Sequence, residues 1–287
     1  AEDLVDCDGI PTDFTYNLSS SQAFYYVGNV QDYKGEDLDG DDWIGAFNGD
    51  VCVGARQWCG GNCDVPAMGD DNIEWTDTDG YLLTNQIPTF KIYDASEGAY
   101  FPVSAHTDEQ HGFQYYGVFN LTELMVTRDY SISLHEYMNL ISFYALPENG
   151  NVSVVMSGIN DNLSWVVGEG QSAQNTSNGW IGALSNDNLD VSDAFWLRMT
   201  DSDVLEGTGY PYNVNREYSL HAGANLVSFP SEGSFNLMAA IPSDVIGNIK
   251  AIIGEGQSTF NDGSEEWPGT LNELEGLHGY WFFSDSD

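Results

Sequence analysis

The first half of the chain alternates short apolar runs with polar turns. The runs are rich in aromatic and β-branched residues, and Gly, Asn and Asp separate them. This spacing predicts strands joined by tight turns. We expect a β-sandwich domain over residues 14–131, preceded by an extended segment, residues 1–13, that has no core of its own. The predicted strands are residues 24–27, 43–47, 51–55, 90–93, 100–103 and 115–119, with Asn48-Gly49 as a type I′ hairpin turn.

The second half contains an internal duplication. A fixed period of this kind indicates two copies of one structural unit. Three motifs recur at an offset of 86 residues: Ser133-Leu134-His135 as Ser219-Leu220-His221, Asn139-Leu140-Ile141-Ser142-Phe143 as Asn225-Leu226-Val227-Ser228-Phe229, and Gly168-Glu169-Gly170-Gln171-Ser172 as Gly254-Glu255-Gly256-Gln257-Ser258.

Each copy predicts a small β-rich module with one short helix. A strand carrying the Asn-Leu-aliphatic-Ser-Phe motif is followed by a helical stretch, a second strand, a Gly-rich turn and a closing aromatic strand. The predicted fold class is therefore mainly β, with an N-terminal β-sandwich followed by two tandem repeated modules. The first module covers residues 132–214 and the second covers residues 215–287, with helical stretches at 152–159 and 237–241.

Two motif sets carry a resemblance to known families. The Asn-Leu-Val-Ser opening and the Gly279-Tyr280-Trp281 close of the second module resemble a β module that recurs in large secreted surface proteins of bacteria and archaea. Residues 41–55 and 88–95 look like an N-terminal domain of multidomain secreted proteins from environmental bacteria. The resemblance implies an extracellular or cell-surface location and a β architecture. It brings no catalytic activity with it.

The charge of the chain restricts its partners. Asp and Glu number 45 against 7 Lys and Arg, which gives a formal net charge of -38. A chain with 41% hydrophobic residues and many aromatics is folded, so this charge lies on folded surfaces. Such a surface repels phosphate backbones and anionic lipid headgroups, and we expect neither nucleic acid binding nor direct membrane insertion. Salt or divalent cations screen its self-repulsion.

Four cysteines, Cys7, Cys52, Cys59 and Cys63, lie in the first quarter of the chain. An even, clustered set predicts two disulfides formed in an oxidising compartment, with three possible pairings. A zinc site is the alternative, but the Cys59 and Cys63 pair encloses one residue more than the usual zinc knuckle and no second pair follows. Secretion also makes the five N-x-Ser/Thr sequons candidate glycosylation sites: Asn17, Asn120, Asn151, Asn162 and Asn175.

Calcium is the one cofactor that a motif supports. Asp37, Asp39 and Asp41 alternate around a glycine, as at the start of a calcium-binding loop, although the twelfth position holds Asn48 instead of Glu. Further oxygens could come from the acidic run at residues 70–79. A solvated acidic turn is the alternative interpretation.

A search for catalytic residues finds candidates that the duplication weakens. Gly170-Gln171-Ser172-Ala173-Gln174 lacks the final glycine of a Gly-x-Ser-x-Gly elbow, and so does its copy. His135 and His221 occupy equivalent positions in the two modules, so they belong first to the fold. We therefore expect that the chain is not an enzyme.

These features favour a structural protein. We expect a non-catalytic subunit of an extracellular filament or surface layer, joined head to tail to copies of itself, with residues 1–13 as a candidate complementing strand. The alternative is a carbohydrate-binding or adhesin module of a secreted multidomain protein. Its sugar platform would use some of the aromatic residues Tyr25, Tyr26, Trp43, Trp58, Trp75, Tyr81, Tyr115 and Tyr116, although aromatics that alternate along strands usually face a core.

Overall fold

Strands that join into β-sheets are the main regular elements of this computed structural model, and the protein is mainly β. The structure describes residues 5, 9–73, 75–105, 107–213, 215–264 and 267–286. The chain divides into two compact units, Ala1–Thr127 and Arg128–Asp287, here called unit 1 and unit 2. The boundary predicted at residue 131 lies four residues beyond this division.

Unit 1 is built on one seven-stranded sheet. Its strand order is β3-β2-β5-β6-β7-β1-β4, in which β1 and β7 run parallel and all other neighbours run antiparallel. The strands are β1 (Gln22–Gln31), β2 (Trp43–Asn48), β3 (Val51–Gln57), β4 (Cys63–Met68), β5 (Thr89–Asp94), β6 (Ala99–Ala105) and β7 (Val118–Val126), and single 3-10 turns cover Thr12–Phe14 and Thr107–Glu109.

The sheet of unit 1 curls until its two edge strands meet. A Cβ atom added at Gly54 of β3 would lie 1.9 Å from the carbonyl oxygen of Pro66 in β4, so only glycine allows this approach. Arg56 and Asp64 form an ion pair across the same seam. Proline cannot donate a ladder hydrogen bond, which suits Pro66 to an edge position. The concave side encloses the core, to which β1 contributes alternate residues such as Tyr25.

Two predictions for unit 1 need correction. The strand predicted at residues 115–119 begins only at Val118, and Tyr116 lies in the preceding turn with a φ of 56°. In the β2–β3 hairpin, Asn48 still pairs with Val51, so the two turn residues are Gly49 and Asp50. Only Gly49 of these two has positive φ, as in a type II′ turn, whereas a type I′ turn needs positive φ at both.

Unit 2 contains the duplicated motifs in two separate sheets. The sheet of the first module has the order β13-β12-β11-β14-β9, and that of the second module has the order β16-β21-β18-β19. The strands are β8 (Arg128–Leu134), β9 (Tyr137–Ser142), β10 (Ala145–Leu146), β11 (Leu163–Gly168), β12 (Gln171–Thr176), β13 (Gly179–Ile181), β14 (Ala194–Met199), β15 (Asp203–Pro211), β16 (Gly223–Val227), β17 (Ser234–Asn236), β18 (Ile249–Gly254), β19 (Gln257–Phe260), β20 (Glu273–Glu275) and β21 (Tyr280–Ser284).

Corresponding strands occupy corresponding places in the two sheets. β9, β14, β11 and β12 follow one another in the first, as β16, β21, β18 and β19 do in the second. Each module also has one short helix, α1 (Val152–Val155) or α2 (Leu237–Ala240), whose first turn is capped by the side chain of Asn151 or Asn236. An added three-stranded sheet, β10-β15-β8, belongs to the first module, and the pair β17-β20 belongs to the second.

Candidate functional site

The two modules of unit 2 hold each other through a reciprocal contact. Glu255, in the Gly-rich turn of the second module, reaches the first module: its Oε1 lies 2.5 Å from Nε2 of His135, and its Oε2 accepts a 2.7 Å hydrogen bond from the backbone N of Leu140. Glu169 repeats this arrangement in the opposite direction. Its Oε1 lies 2.8 Å from Nε2 of His221, and its Oε2 accepts a 2.7 Å bond from the backbone N of Leu226.

The asparagine of each Asn-Leu motif positions the histidine. Asn139 accepts a hydrogen bond from the backbone N of His135 and donates one to its carbonyl oxygen, each 2.8 Å long. Asn225 makes the same pair of bonds to His221. Both asparagines are buried, so their polar groups require these partners. The Asn-to-His spacing in the sequence is therefore a local turn that presents the imidazole ring to the other module.

Backbone and apolar contacts complete this intermodule contact. The backbone N of Ser142 donates to the carbonyl of Leu277, and the backbone N of Ser228 donates to the carbonyl of Ser192, each at 3.0 Å. The buried cluster between the modules pairs equivalent positions: Leu140 with Leu226 and Trp196 with Trp281, around Ala194. A two-fold arrangement of this kind gives each module the same surface.

The candidate bases are thus occupied by structural contacts. The carbonyl of Glu136 and the carboxylate of Glu255 raise the pKa of His135, since both stabilise the imidazolium. Ser172 and Ser258 lie within β12 and β19, paired with Val167 and Ile253 of the neighbouring strands, and do not stand on a strand-to-helix elbow. His278 lies 3.7 Å from Glu275, His111 stacks on Phe119, and His106 lies outside the described residues.

Unit 1 places its exposed apolar residues at one end. Because β1 and β7 are parallel and the other neighbours antiparallel, the segment before β1 and the β2–β3, β4–β5 and β6–β7 connections meet at the same end. Hydrogen bonds join these loops, including Tyr116 N to Gln22 O and Phe113 N to Gln86 O. We call this the apolar end, and its exposed large apolar side chains are Leu18, Val51, Trp75, Leu83, Ile87, Tyr115, Tyr116 and Val118.

Among the aromatics considered for a sugar platform, few reach solvent. Tyr25, Trp58 and Tyr81 are buried, and Tyr26 and Trp43 are partly covered. Trp75, Tyr115 and Tyr116 are exposed, the last two with their ring centroids 4.1 Å apart. The exposed members of this candidate platform therefore all lie at the apolar end of unit 1.

The opposite end of unit 1 is acidic. Asp37, Asp39 and Asp41 are exposed in the β1–β2 connection. The buried carboxylate of Asp42 accepts hydrogen bonds from the backbone N atoms of Asp39 and Ala95, and burial raises its pKa. Residues 70–79 lie in the β4–β5 connection, at the apolar end, and cannot complete a site around Asp39. Over the described residues, no three His, Cys, Asp or Glu side chains are placed to hold one metal ion. Calcium at these aspartates stays a prediction.

Among the described cysteines, Cys59 and Cys63 form a disulfide, and their Cα atoms are 5.4 Å apart. Cys52 is a buried free thiol in the described part of the chain, and burial raises its pKa to about 11. It packs with Phe14 and Phe47 in a small apolar cluster. Cys7 lies outside the described residues.

The sequon asparagines differ in how far their amide nitrogens are engaged. Asn120 is exposed on β7. The side-chain nitrogens of the other four donate hydrogen bonds: Asn17 to Asp77, Asn151 to Ser185, Asn162 to Asp203, and Asn175 to Asn160 and Leu163. Since a glycan would attach at that nitrogen, Asn120 is the most accessible of the candidate sites.

In the described part of the chain, no helix is long and apolar enough to cross a membrane. Comparison with protein-family models, curated proteins and solved structures found no match to this chain.

Proposed function

We propose that this protein is a non-catalytic structural subunit of an extracellular filament or surface layer, and that its copies join through the apolar end of unit 1. The observation that carries this proposal is the grouping of eight large exposed apolar side chains at one end of one sheet. A group of exposed apolar side chains in one place marks an interaction site, whereas apolar residues scattered singly over a surface are ordinary.

The composition of the apolar end favours a protein partner. Five of its eight exposed large apolar residues are aliphatic, namely Leu18, Val51, Leu83, Ile87 and Val118. Aliphatic side chains pack well against another protein surface, whereas sugar rings are recognised by flat aromatic faces with polar neighbours. On a chain with a net charge of -38, apolar contacts must also overcome repulsion between copies, so assembly should strengthen as salt or divalent cations screen it.

The arrangement of unit 2 supports a structural role. The equivalent histidines and Gly-rich turns form the contact between modules instead of a nucleophile and base pair. Val5, in the described part of the N-terminal segment, packs on its own unit, against the cluster that contains Phe14. A strand donated by residues 1–13 is a second form of the proposed contact. Of that segment, the structure describes residue 5 and residues 9–13.

Sedimentation velocity and negative-stain microscopy of the purified chain test the proposal. We expect assembly that grows with concentration and salt, and loss of assembly in Trp75→Ser combined with Ile87→Asn. The matched control is Ile181→Asn, which removes an equally exposed aliphatic side chain from unit 2. A wild-type chain that stays monomeric under all these conditions would refute the proposal, as would equal loss in the control. A chelator arm tests calcium at Asp37, Asp39 and Asp41.

A glycan-binding adhesin is the second candidate, favoured by the adjacent rings of Tyr115 and Tyr116 and by an exposed Trp75 at the same end of the sheet. It predicts saturable binding on a glycan array by monomeric protein. Such binding should disappear in Trp75→Ala and persist in Leu83→Asn. Binding that is indifferent to Trp75 would exclude this platform.

A further inference from the structure

A cleft of about 640 Å³ opens between the two modules of unit 2. Its lining is polar and acidic, with the carboxylates of Glu255, Glu273 and Glu275 and the rings of His135 and His278. Neither a lysine nor an arginine is among the described residues that line it. Its size lies within the range of ligand sites in proteins.

The internal duplication places an equivalent set of residues on the first module, here called the duplicate cleft because its residues match those of the open one. Glu255 corresponds to Glu169 at the constant offset of 86 residues. The pairing of Asn151 with Asn188 and of Asn236 with Glu273 aligns the next two segments, so that Glu275 corresponds to Asp190 and His278 to Asp193. Glu255 and Glu275 therefore have acidic counterparts in the first module, whereas Glu273 corresponds to Asn188.

In the first module, an arginine occupies this acidic surface. The Nη2 atom of Arg216 lies 3.5 Å from Oδ1 of Asp190, and its guanidinium lies 5.6 Å and 5.7 Å from the ring centroids of Tyr212 and Tyr218. Burial, followed by the charges of Asp190 and Glu169, raises the pKa of Asp193, and Arg216 opposes this rise. The charges of Glu169, Asp190, Asp193 and Arg216 are thus close enough to interact.

The open cleft has no equivalent arginine because the corresponding segment folds differently. At an offset of 86 residues, Arg216 aligns with Tyr130. Tyr130 lies in β8, is 5% exposed and packs in the core of the first module against Phe143. In the first copy this segment forms β8 and its side chain at the matching position is buried. In the second copy the segment lies outside any strand and places the guanidinium of Arg216 beside a carboxylate.

We propose that the open cleft binds the guanidinium group of an external ligand, with Glu255, Glu273 and Glu275 as its acidic side. In the duplicate cleft, Arg216 is held by one carboxylate, that of Asp190, and by the rings of Tyr212 and Tyr218, while its buried Nε and Nη1 have no hydrogen-bond partner among the described residues. A guanidinium has five N–H donors spread over a planar fork, which suits separated carboxylates better than the single point charge of an ammonium group. Across the described residues no three acidic or imidazole side chains converge on one point, so a compact metal ion fits less well.

Two sources could supply this chemistry, and the probes separate them. Agmatine represents a free small guanidine, and the capped peptide Gly-Arg-Gly represents an arginine side chain of a partner protein. Isothermal titration calorimetry of the full chain at low ionic strength should show saturable binding at one site for at least one probe. Tighter binding of agmatine would identify a small molecule, and tighter binding of the peptide would identify an arginine of a partner.

Matched peptides and variants decide whether the recognition is specific. Gly-citrulline-Gly, a neutral analogue, should not bind, and Gly-Lys-Gly should bind more weakly than the arginine peptide. Glu273→Gln combined with Glu275→Gln should weaken binding by roughly tenfold or more, because charge-assisted hydrogen bonds are lost. Glu206→Gln, on the exposed face of β15, is the charge-matched control and should leave binding unchanged. Equal binding of the lysine peptide, or equal loss in the control, would overturn the proposal.

Arg216→Ala provides an independent test, since it vacates the duplicate cleft. We expect the number of bound probe molecules to rise from one to two, with added agmatine restoring part of any loss in melting temperature. A stoichiometry that stays at one in a folded variant would contradict the comparison between the clefts. Should the variant fail to fold, the result with Glu273→Gln and Glu275→Gln decides alone.

Discussion

The two modules of unit 2 share their strand order and their mutual contacts, yet differ in the segment that leads into each Asn-Leu strand. In the first module this segment is β8, whereas in the second it carries Arg216 and Tyr218 outside any strand. The shared features all serve the intermodule contact: the histidine, the asparagine beneath it and the glutamate of the Gly-rich turn. These duplicated residues therefore hold the two modules together. The segment that differs between the modules is the basis of the proposed ligand site.

The largest effect should follow from truncating the leucines at the centre of the intermodule contact. Leu140 and Leu226 are 1% and 3% exposed, and either change to alanine should destabilise unit 2 by about 2–5 kcal/mol through lost burial and a residual cavity. Urea unfolding measures this. Val167→Ala, on an exposed position, is the control and should change stability by less than about 0.5 kcal/mol. If only one of the two leucines mattered, the contact would not be reciprocal in energy.

A methyl group at Gly279 should have the next largest effect. Gly279 is the counterpart of Ala194, and a Cβ atom there would lie 2.5 Å from the Ala194 Cβ and 2.9 Å from the carbonyl oxygen of Ile141. We expect Gly279→Ala to destabilise by about 1–3 kcal/mol, as overpacking does. Gly247→Ala meets no atom within 4 Å and should be close to neutral in the same thermal melts. An unchanged melting temperature for Gly279→Ala would mean that the modules separate easily.

Neutralising the reciprocal glutamates should have a smaller effect. Glu255→Gln keeps an acceptor for Leu140 N but loses the charge that faces His135, and Glu169→Gln does the same for the other module. These side chains are about one-third exposed, so solvent screening limits the loss to about 1 kcal/mol each. Chemical denaturation of each single variant and of the double variant measures it. Clearly unequal losses would show that the two contacts are alike in geometry only.

The smallest effect concerns pH. The pKa of His135 is raised in the folded protein, so its contribution to stability is fully present below the unfolded value near 6.5 and disappears as the pH rises through the folded value. The difference in melting temperature between wild type and His135→Asn should therefore be larger in mildly acidic buffer than in alkaline buffer. NMR titration of the ring gives the pKa directly. A difference that grows toward alkaline pH would contradict the assignment.

Part of this fold could be predicted from the sequence because it depends on local patterns. The helices near residues 152 and 237 follow a capping asparagine, and the offset of 86 residues fixed which strands correspond. β15 escaped prediction because it contains Gly207 and Gly209. Each glycine is required by close packing, since an added Cβ would lie 2.3 Å from the Tyr130 hydroxyl or 2.4 Å from the Leu146 backbone.

The partners of the histidines could not be predicted in the same way. His135 and Glu255 are 120 positions apart, and no periodicity connects residues across two modules. A signal was nevertheless present: both residues recur in the second copy although neither contributes to a core. Which aromatic side chains are exposed could not be predicted from the sequence either. Tyr25 and Tyr115 belong to similar aromatic runs, but the register of β1 buries Tyr25 and the turn before β7 exposes Tyr115.

Reciprocity between the modules also bears on how the chain must fold. Since each module offers the other the same surface, a first module from one molecule can pair with a second module from another, or with another first module, using the contacts already described. Unit 2 thus resembles a homodimer whose subunits are fused. The connection between the two modules keeps each one at a high effective concentration near its partner module. Shortening that connection until it no longer spans the two modules would force exchange between molecules and produce swapped dimers.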